Sequence, residues 1–459
     1  MMTRVAVIGG GWAGLASAHA LFRAGHQATV FETGPQLGGR ARSLPAAITE
    51  REGFTLALEN GQHLLLGAYQ QIAQWLEERQ LALDDHFLRT PLTWQVAPDH
   101  LLLRTPPLPA PWHGLLALVR AQGWRWPTRF RVLNGLRQLK QRHWQCPADW
   151  SWQHCLDVLG QDAPSRDTWW YPLCLAVANT DPAQTQAQGL LNVLRTVFEG
   201  PAHYSDLWFP KSSLSELADA LLDPEVERRL RHTVRQVTAL PRGFLVDEER
   251  YDALVLAAPP VISARFLAQL GLLTDAGARW PEMPFHSITT CYLKLAAPYR
   301  LRHPMVGLLA DPQHPAGSCE ARAELAPAQA GSNYPAWGQW VFDRGQIVGQ
   351  TLEQAELAVV ISQAHTMHGF DAEALAHACW QQLKHSLDPQ LPALHKHFVI
   401  TDKRATFALT PELERPPTHT ANPRVVLAGD WVAGPYPATL EGAARAGFEA
   451  ARQLNALGL

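Results

Sequence analysis

The chain has 459 residues, of which 47% are apolar and 18% charged, and its formal net charge is only −3. A chain of this length can form two large domains, each with its own hydrophobic core, or one domain threaded through another. The near-neutral charge argues against a nucleic-acid-binding protein, which normally carries a basic excess. No stretch approaches the roughly 20 apolar residues of a membrane-spanning helix. The apolar start runs into glycines rather than a cleavage site, so we expect no signal peptide.

Cysteine and histidine usage predicts neither disulfides nor a metal centre. The six cysteines are scattered and include no Cys-x-x-Cys pair, which is typical of reduced thiols in a cytosolic protein. The close pairs His365/His368 and His395/His397 have no accompanying acidic or cysteine ligands. We therefore expect surface or core histidines there, and no metal.

A glycine-rich turn joins the first predicted strand, residues 3–8, to a helix predicted over 12–24. Its first glycine allows a tight turn, its second lets the backbone approach a pyrophosphate, and its third lets helix and strand pack closely. Backbone N–H groups at the helix start add positive dipole. The candidate nucleotide contacts are Gly9, Gly11, Trp12, Ala13 and Gly14. The pattern predicts an α/β, Rossmann-like domain.

Glu32 ends the second predicted strand, residues 26–31, at the spacing where a carboxylate meets a ribose hydroxyl. An acid here favours an unphosphorylated ribose, as in FAD or NAD, over NADP.

The following glycine pair distinguishes FAD from NAD. Gly38 and Gly39 let the chain pass against a bulky ligand, and Arg40 can pair with its pyrophosphate. This segment resembles the GG-R-x-x-S/T motif of the amine oxidase and phytoene desaturase superfamily of flavoproteins. The resemblance implies FAD as cofactor.

The C-terminus supplies the other half of the predicted flavin site. A strand over 424–428 leads into Gly429 and Asp430, and a small-residue helix opens near Thr439 and Leu440. The resemblance implies that Asp430 contacts the ribityl-phosphate region and that the helix start faces the flavin pyrimidine, where its dipole stabilises negative charge. No Cys or His adjoins this helix, which favours non-covalent FAD.

The predicted FAD-binding domain is discontinuous and comprises residues 1–84, 205–260 and 401–459. A strand pair within its middle piece resembles the one beside the adenine, with Val237 as the candidate contact. Residues 85–204 and 261–400 are expected to form an interleaved α+β substrate-binding domain that caps the flavin. Because only one dinucleotide fingerprint is present, we expect electrons from an external donor, either reduced flavin or NAD(P)H.

Residues 100–148 contain no Asp or Glu but eight Arg and Lys, together with an apolar block and four tryptophans. This pattern is typical of a segment lying on an anionic membrane surface, although a buried helical pair with a solvated basic face is the alternative. We predict a cytoplasmic protein held peripherally on the inner face of the cell membrane.

Three further stretches narrow the resemblance: Glu59–Tyr69, Trp170–Thr180, and Ser205–Pro210 with Leu214–Leu217, which Gly338–Gly345 follows downstream. Together they resemble the squalene-associated FAD-dependent desaturases, understood as the hydroxysqualene dehydroxylases of bacterial hopanoid biosynthesis. Glu59 departs from the expected Asp but keeps the carboxylate. The resemblance implies that an allylic hydroxyl is lost and replaced by a hydride from reduced FAD, giving squalene.

Such a reaction needs a proton donor and an apolar tunnel from which water is excluded. His63 is the first candidate acid, because it follows the flavin-contacting Gly61 and titrates near neutral pH, but a structural role is equally open. The other candidates for orienting flavin or substrate, or for moving a proton, are Gln62, Tyr69, Tyr171 and Asp206. Trp169, Trp170 and Leu173 are candidate tunnel residues, or plain core.

Three alternatives share the predicted fold. An oxidative carotenoid-type desaturase would use the same cradle and membrane segment but move hydride toward flavin. An amine oxidase would not need the basic, tryptophan-rich segment. A non-catalytic isoprenoid-binding protein would not need to bind flavin. The presence of three predicted FAD contacts, Glu32, Arg40 and Asp430, argues against it.

Overall fold

The computed structural model describes residues 3–274, 280–309, 337–364 and 371–458. Its strands are β1 Arg4–Ile8, β2 Gln27–Phe31, β3 Leu65–Leu66, β4 Phe87–Thr90, β5 Thr93–Val96, β6 Leu101–Arg104, β7 Leu207–Pro210, β8 Glu227–Arg229, β9 Val237–Ala239, β10 Phe244–Val246, β11 Glu249–Tyr251, β12 Ala253–Leu256, β13 Phe285–Leu295, β14 Met305–Gly307, β15 Trp340–Asp343, β16 Glu356–Ile361, β17 Leu394–Phe407 and β18 Val425–Leu427.

The α-helices are α1 Trp12–Arg23, α2 Ala46–Glu52, α3 Gln70–Glu78, α4 Leu83–His86, α5 Trp112–Val119, α6 Trp126–Gln141, α7 Trp152–Val158, α8 Ala163–Ser165, α9 Tyr171–Ala178, α10 Ala187–Glu199, α11 Leu214–Leu221, α12 Pro260–Gln269, α13 Arg344–Val348, α14 Ala372–Ser386 and α15 Leu440–Asn455. One π-helical turn, Arg166–Trp170, and two 3₁₀ turns, Ala202–Ser205 and Trp280–Glu282, complete the described helices.

A five-stranded parallel sheet carries the glycine-rich turn. Its order is β18-β12-β1-β2-β8, so strands from three distant parts of the chain lie side by side. β1 and β12 are almost continuous apolar runs because both faces of the sheet are buried. α1 packs closely on α15, where a Cβ at Gly447 would lie 2.2 Å from the Ala13 carbonyl oxygen. The predicted α/β, Rossmann-like sheet is confirmed.

The cap is built on a seven-stranded mixed sheet, ordered β17-β13-β16-β15-β14-β5-β6. Cys291 and Leu293 of β13 pack with α14 on one face, whereas Tyr292 lies on the opposite face and contacts Glu59. β17 runs across the predicted boundary at residue 401. We therefore propose that the C-terminal part of the FAD-binding domain begins after Phe407.

Helices between residues 112 and 199 form the rest of the cap. Trp152 and Trp170 are fully buried among them, and Trp124 and Trp144 are buried too. The described residues contain no helix long and apolar enough to cross a membrane. The five described cysteines carry free thiols, as predicted for this part of the chain, and Cys319 lies outside it.

Candidate active site

The glycine-rich turn has one crowded side and one open side. Gly9 has φ +119°, and a Cβ there would lie 2.5 Å from the Ala257 carbonyl oxygen. A Cβ at Gly14 would lie 1.9 Å from the Gly9 carbonyl oxygen, so helix and strand approach each other as predicted. At Gly11 the nearest atom to a Cβ is 3.7 Å away, and no side chain caps the start of α1. This open, uncapped helix start fits a pyrophosphate.

Glu32 lies at the carboxyl end of β2, beside the same turn. Its two carboxylate oxygens accept hydrogen bonds from the backbone N–H groups of Gly10, at 2.9 Å, and Gly34, at 2.7 Å. These contacts fix the carboxylate beside the turn, and its contact with a ribose stays a prediction.

Arg40 and Asp430 join the two halves of the cradle. The Arg40 guanidinium donates to the Asp430 carboxylate and, at 2.8 Å, to the Ala405 carbonyl oxygen. Burial disfavours the charge on Arg40, but Asp430 and Asp402 keep its pKa above the ordinary value. Gly39, with φ +63°, lies against Gly11, because a Cβ there would be 2.9 Å from the Gly11 Cα.

α15 begins beside this ion pair. Thr439 caps the helix by accepting a hydrogen bond from the Gly442 N–H at 3.0 Å, and Leu440 is half-buried. Sequence reasoning missed Glu441. Its fully buried carboxylate accepts from the N–H groups of Gln71 and Ile72, which ties α15 to the start of α3.

Val237 begins β9 in the small antiparallel sheet β9-β10-β11. Its side chain is buried, and its N–H donates to the Gln269 side chain at 2.9 Å. The adenine contact at this position stays a prediction.

His63 and Thr290 lie close to Gly61. A Cβ at Gly61 would be 3.9 Å from both His63 Nε2 and Thr290 Oγ1, and among the described residues neither buried atom has a hydrogen-bond partner. Burial, helped by Arg40 and opposed by Asp402, lowers the pKa of His63 to about 4, so the imidazole is neutral at pH 7. The neighbouring Gln62 is half-buried.

The remaining predicted acids lie in three different places. Tyr69 immediately precedes α3, and burial with nearby Glu441 raises its pKa. Asp206 precedes β7, and its carbonyl oxygen accepts from the Gly67 N–H at 2.8 Å. Tyr171 begins α9. Their catalytic roles stay predictions.

Glu59 is a half-buried acid whose importance the sequence did not reveal beyond its departure from Asp. Its Oε1 accepts from the Ser43 hydroxyl at 2.6 Å, and Tyr292 Oη donates to its backbone carbonyl at 3.0 Å. Its Oε2 is buried and has no partner among the described residues. Burial raises the pKa of Glu59 to about 7, against the hydrogen bond from Ser43. A proton is therefore available on this carboxyl at neutral pH.

A fully buried acid, Glu356 of β16, anchors the segment that leads to Gly61. It accepts from the Arg344 guanidinium at 2.8 Å and from the Thr55 N–H at 2.5 Å, and the Lys294 ammonium lies 3.6 Å away. This ion-pair network fixes the cap sheet against the FAD-binding domain.

The predicted tunnel residues lie at the π-helical turn and in α9. Trp169 and Trp170 stack with ring centroids 4.3 Å apart, and the Trp170 indole N–H donates to Gln161 at 2.8 Å. Trp170 is fully buried, so it contributes to the core, whereas Leu173 is only half-buried. Tunnel roles for Trp169 and Leu173 stay predictions.

A glycine-lined cradle at a parallel sheet, closed by an Arg–Asp pair and covered by a mixed-sheet cap, defines an FAD-dependent oxidoreductase. The described residues contain no cluster of three or more potential metal ligands; His365 and His368 lie outside them.

The chain belongs to the flavin-containing amine oxidoreductase family, which matches residues 12–455. It is similar to hydroxysqualene dehydroxylases from Sinorhizobium fredii, at 25% identity with 98% of each chain covered, and from Rhodopseudomonas palustris, at 26% identity with 100% of each covered. Its fold is similar to that of cyclohexylamine oxidase from Brevibacterium oxydans, with a TM-score of 0.66, 13% identity and full coverage of both chains.

Proposed function

We propose that this protein reduces hydroxysqualene to squalene for hopanoid biosynthesis. The observation that carries the proposal is the similarity, over the whole chain, to relatives named hydroxysqualene dehydroxylase. In the balanced reaction the allylic C–O bond breaks, a C–H bond forms, and the hydroxide leaves as water with one proton. Bound FAD, reduced by an external donor, supplies the hydride.

The chain's own residues must hold FAD, deliver one proton and exclude water. The cradle of Gly11, Glu32, Arg40 and Asp430 suits non-covalent FAD, and acid precipitation should release the flavin intact. Of the two half-buried acid–base candidates, Glu59 has the pKa better matched to neutral pH, whereas His63 is neutral there and can offer a hydrogen bond. We propose that Glu59 supplies the proton that the reaction consumes.

The direct test is anaerobic incubation of purified enzyme with hydroxysqualene and an excess of a chemical flavin reductant, followed by mass analysis of the isoprenoid. We expect squalene. Failure to form it would falsify the proposal. Additional double bonds in a C30 or C40 polyene, with reduction of the flavin, would favour a carotenoid-type desaturase. Hydrogen peroxide from amines would favour an amine oxidase, and purified protein without flavin would favour the binding protein.

We also propose that the protein docks on an anionic bilayer, where its substrate resides. Nine large hydrophobic side chains among the described residues are exposed, and six of them lie between residues 108 and 130. These six form what we call the α5–α6 apolar surface: Leu108, Trp112, Leu115, Val119, Trp126 and Phe130.

The geometry of α5 and α6 supports this docking. Trp112, Leu115 and Val119 share one face of α5 at helical spacing, as Trp126 and Phe130 do on α6. Arg129 joins the two helices by donating to the Val119 carbonyl oxygen and lying over the Trp126 ring, 4.8 Å from its centroid. Exposed cations in or next to the same two helices are Arg120, Arg125, Arg137, Lys140 and Arg142. Exposed apolar side chains on helices that also carry exposed cations suit the boundary of anionic lipid headgroups.

Vesicle sedimentation tests the membrane proposal. We expect binding to phosphatidylglycerol-containing vesicles, weak binding to phosphatidylcholine vesicles, and release by salt. The triple variant Trp112→Ser/Trp126→Ser/Phe130→Ser should lose binding while keeping its FAD. The control is the triple variant Val158→Ser/Leu230→Ser/Leu457→Ser, which removes the three exposed large apolar side chains that lie outside this surface in the described residues. Equal binding by the triple variant and the control would refute the proposed surface.

A further inference from the structure

Two buried polar atoms border the open side of Gly61. Thr290, in the middle of β13, is 1% exposed, and its Oγ1 has no hydrogen-bond partner among the described residues. His63 Nε2 is buried and equally without a partner in that part of the chain. Both atoms lie 3.9 Å from the point that a Cβ on Gly61 would occupy, so they border one small space.

The neighbouring residue shows that this absence of a partner is specific to one face of the strand. Thr289 points to the opposite face of β13, where its hydroxyl lies 2.7 Å from that of Thr401 and is satisfied. A buried donor or acceptor without a partner carries a free-energy penalty, so water or a ligand normally completes such groups. Two of them around one space indicate a polar ligand group there.

We propose that Thr290 and His63 form a subsite for the leaving hydroxyl of the isoprenoid alcohol, an inference that rests on the proposed function. A hydroxyl group is both donor and acceptor, as are the threonine hydroxyl and a neutral imidazole. An alcohol can therefore satisfy both side chains, whereas the hydrocarbon product satisfies neither. The subsite favours binding of the substrate over retention of squalene.

The test is binding to the oxidised holoenzyme, which cannot supply hydride, with the flavin absorbance as the signal. Hydroxysqualene and squalene are titrated separately in the same detergent. Thr290→Val keeps the shape of the side chain but removes its hydroxyl, and we expect it to weaken hydroxysqualene binding about tenfold while squalene binding is unchanged. Thr289→Val, the same change on the opposite face, should keep the wild-type ratio of the two affinities.

Two further measurements are needed. One distinguishes a hydroxyl subsite from a flavin contact, and the other distinguishes failure of the subsite from failure of the proposed function. FAD content and flavin reduction potential should match the wild type in Thr290→Val; a shift in either, or equal effects on both ligands, would overturn the proposal. If the wild type binds no hydroxysqualene, the proposed function fails. The subsite would still predict that Thr290→Val selectively weakens binding of farnesol relative to its saturated hydrocarbon, and an unchanged ratio there would overturn the subsite as well.

Discussion

The two ends of the active site are built in different ways. At the nucleotide end, Gly9, Gly14 and Gly39 are set by contacts between backbone atoms that leave no room for a Cβ. At the reaction end, residues from distant parts of the chain lie together: Tyr292 of β13 donates to the Glu59 carbonyl oxygen, and Thr290 borders Gly61. The nucleotide end depends on positions that carry no side chain, whereas the reaction end depends on which side chains the fold brings together.

Substitutions at the nucleotide end should have large effects of two kinds, on the stability of the fold and on FAD affinity. Gly14→Val should destabilise the fold by on the order of 3 kcal/mol or more, because its Cβ would overlap the Gly9 carbonyl. Gly11→Val should fold normally but bind FAD at least about tenfold more weakly, since its side chain would enter the open phosphate side. Thermal unfolding of the apoproteins and FAD titration measure the two effects. Equal stability of both variants would contradict the assignment of crowded and open sides.

Breaking the ion-pair network at the domain boundary is expected to have an effect of similar size on stability. Arg344→Met leaves Glu356 buried without its closest cation and should cost about 3–5 kcal/mol in the free energy of unfolding. The double variant Arg344→Met/Glu356→Gln should recover part of that loss because no buried carboxylate remains. Urea unfolding of the holoenzymes measures both. A single variant as stable as the wild type would show that the network does not anchor the cap.

The pH dependence of stability tests the environment of Glu59. Its pKa in the folded state, about 7, lies above the ordinary 4.5, so the folded state keeps a proton that the unfolded chain releases between these values. Stability from this group is therefore present below pH 4.5 and is lost as the pH rises through 7, by about 3 kcal/mol in total.

Glu59→Gln should remove this loss, so that the variant gains stability relative to the wild type between pH 5 and pH 7.5. The opposing contribution of His63 is present in both proteins and cancels in the difference. Glu225→Gln, at an exposed carboxyl, is the control, and urea unfolding at several pH values is the measurement. Parallel pH profiles for wild type and Glu59→Gln would contradict the raised pKa.

The nucleotide end was predictable because steric rules leave few alternatives. The strand, turn and helix from residues 4 to 23, and the carboxylate at the end of β2, lie where their spacing predicts. Arg40 and Asp430 were both predicted to reach FAD, but their pairing across 390 residues follows only from the fold.

The reaction end was less predictable because its polar contacts are long-range. Nothing near Thr290 in the sequence distinguishes it from Thr289, and only the register of β13 decides which of them faces Gly61. The basic segment was predicted from composition, but composition did not separate the exposed Trp112 and Trp126 from the buried Trp124 and Trp144. That separation depends on helix orientation against the cap.

The direction of hydride transfer is the central claim, and a single anaerobic turnover tests it most directly. Enzyme with fully reduced FAD and no remaining reductant is mixed with one equivalent of hydroxysqualene, while flavin absorbance and squalene are followed together. We predict that the oxidised flavin spectrum appears in step with one equivalent of squalene. Flavin that stays reduced while hydroxysqualene remains unchanged would contradict the proposed reaction.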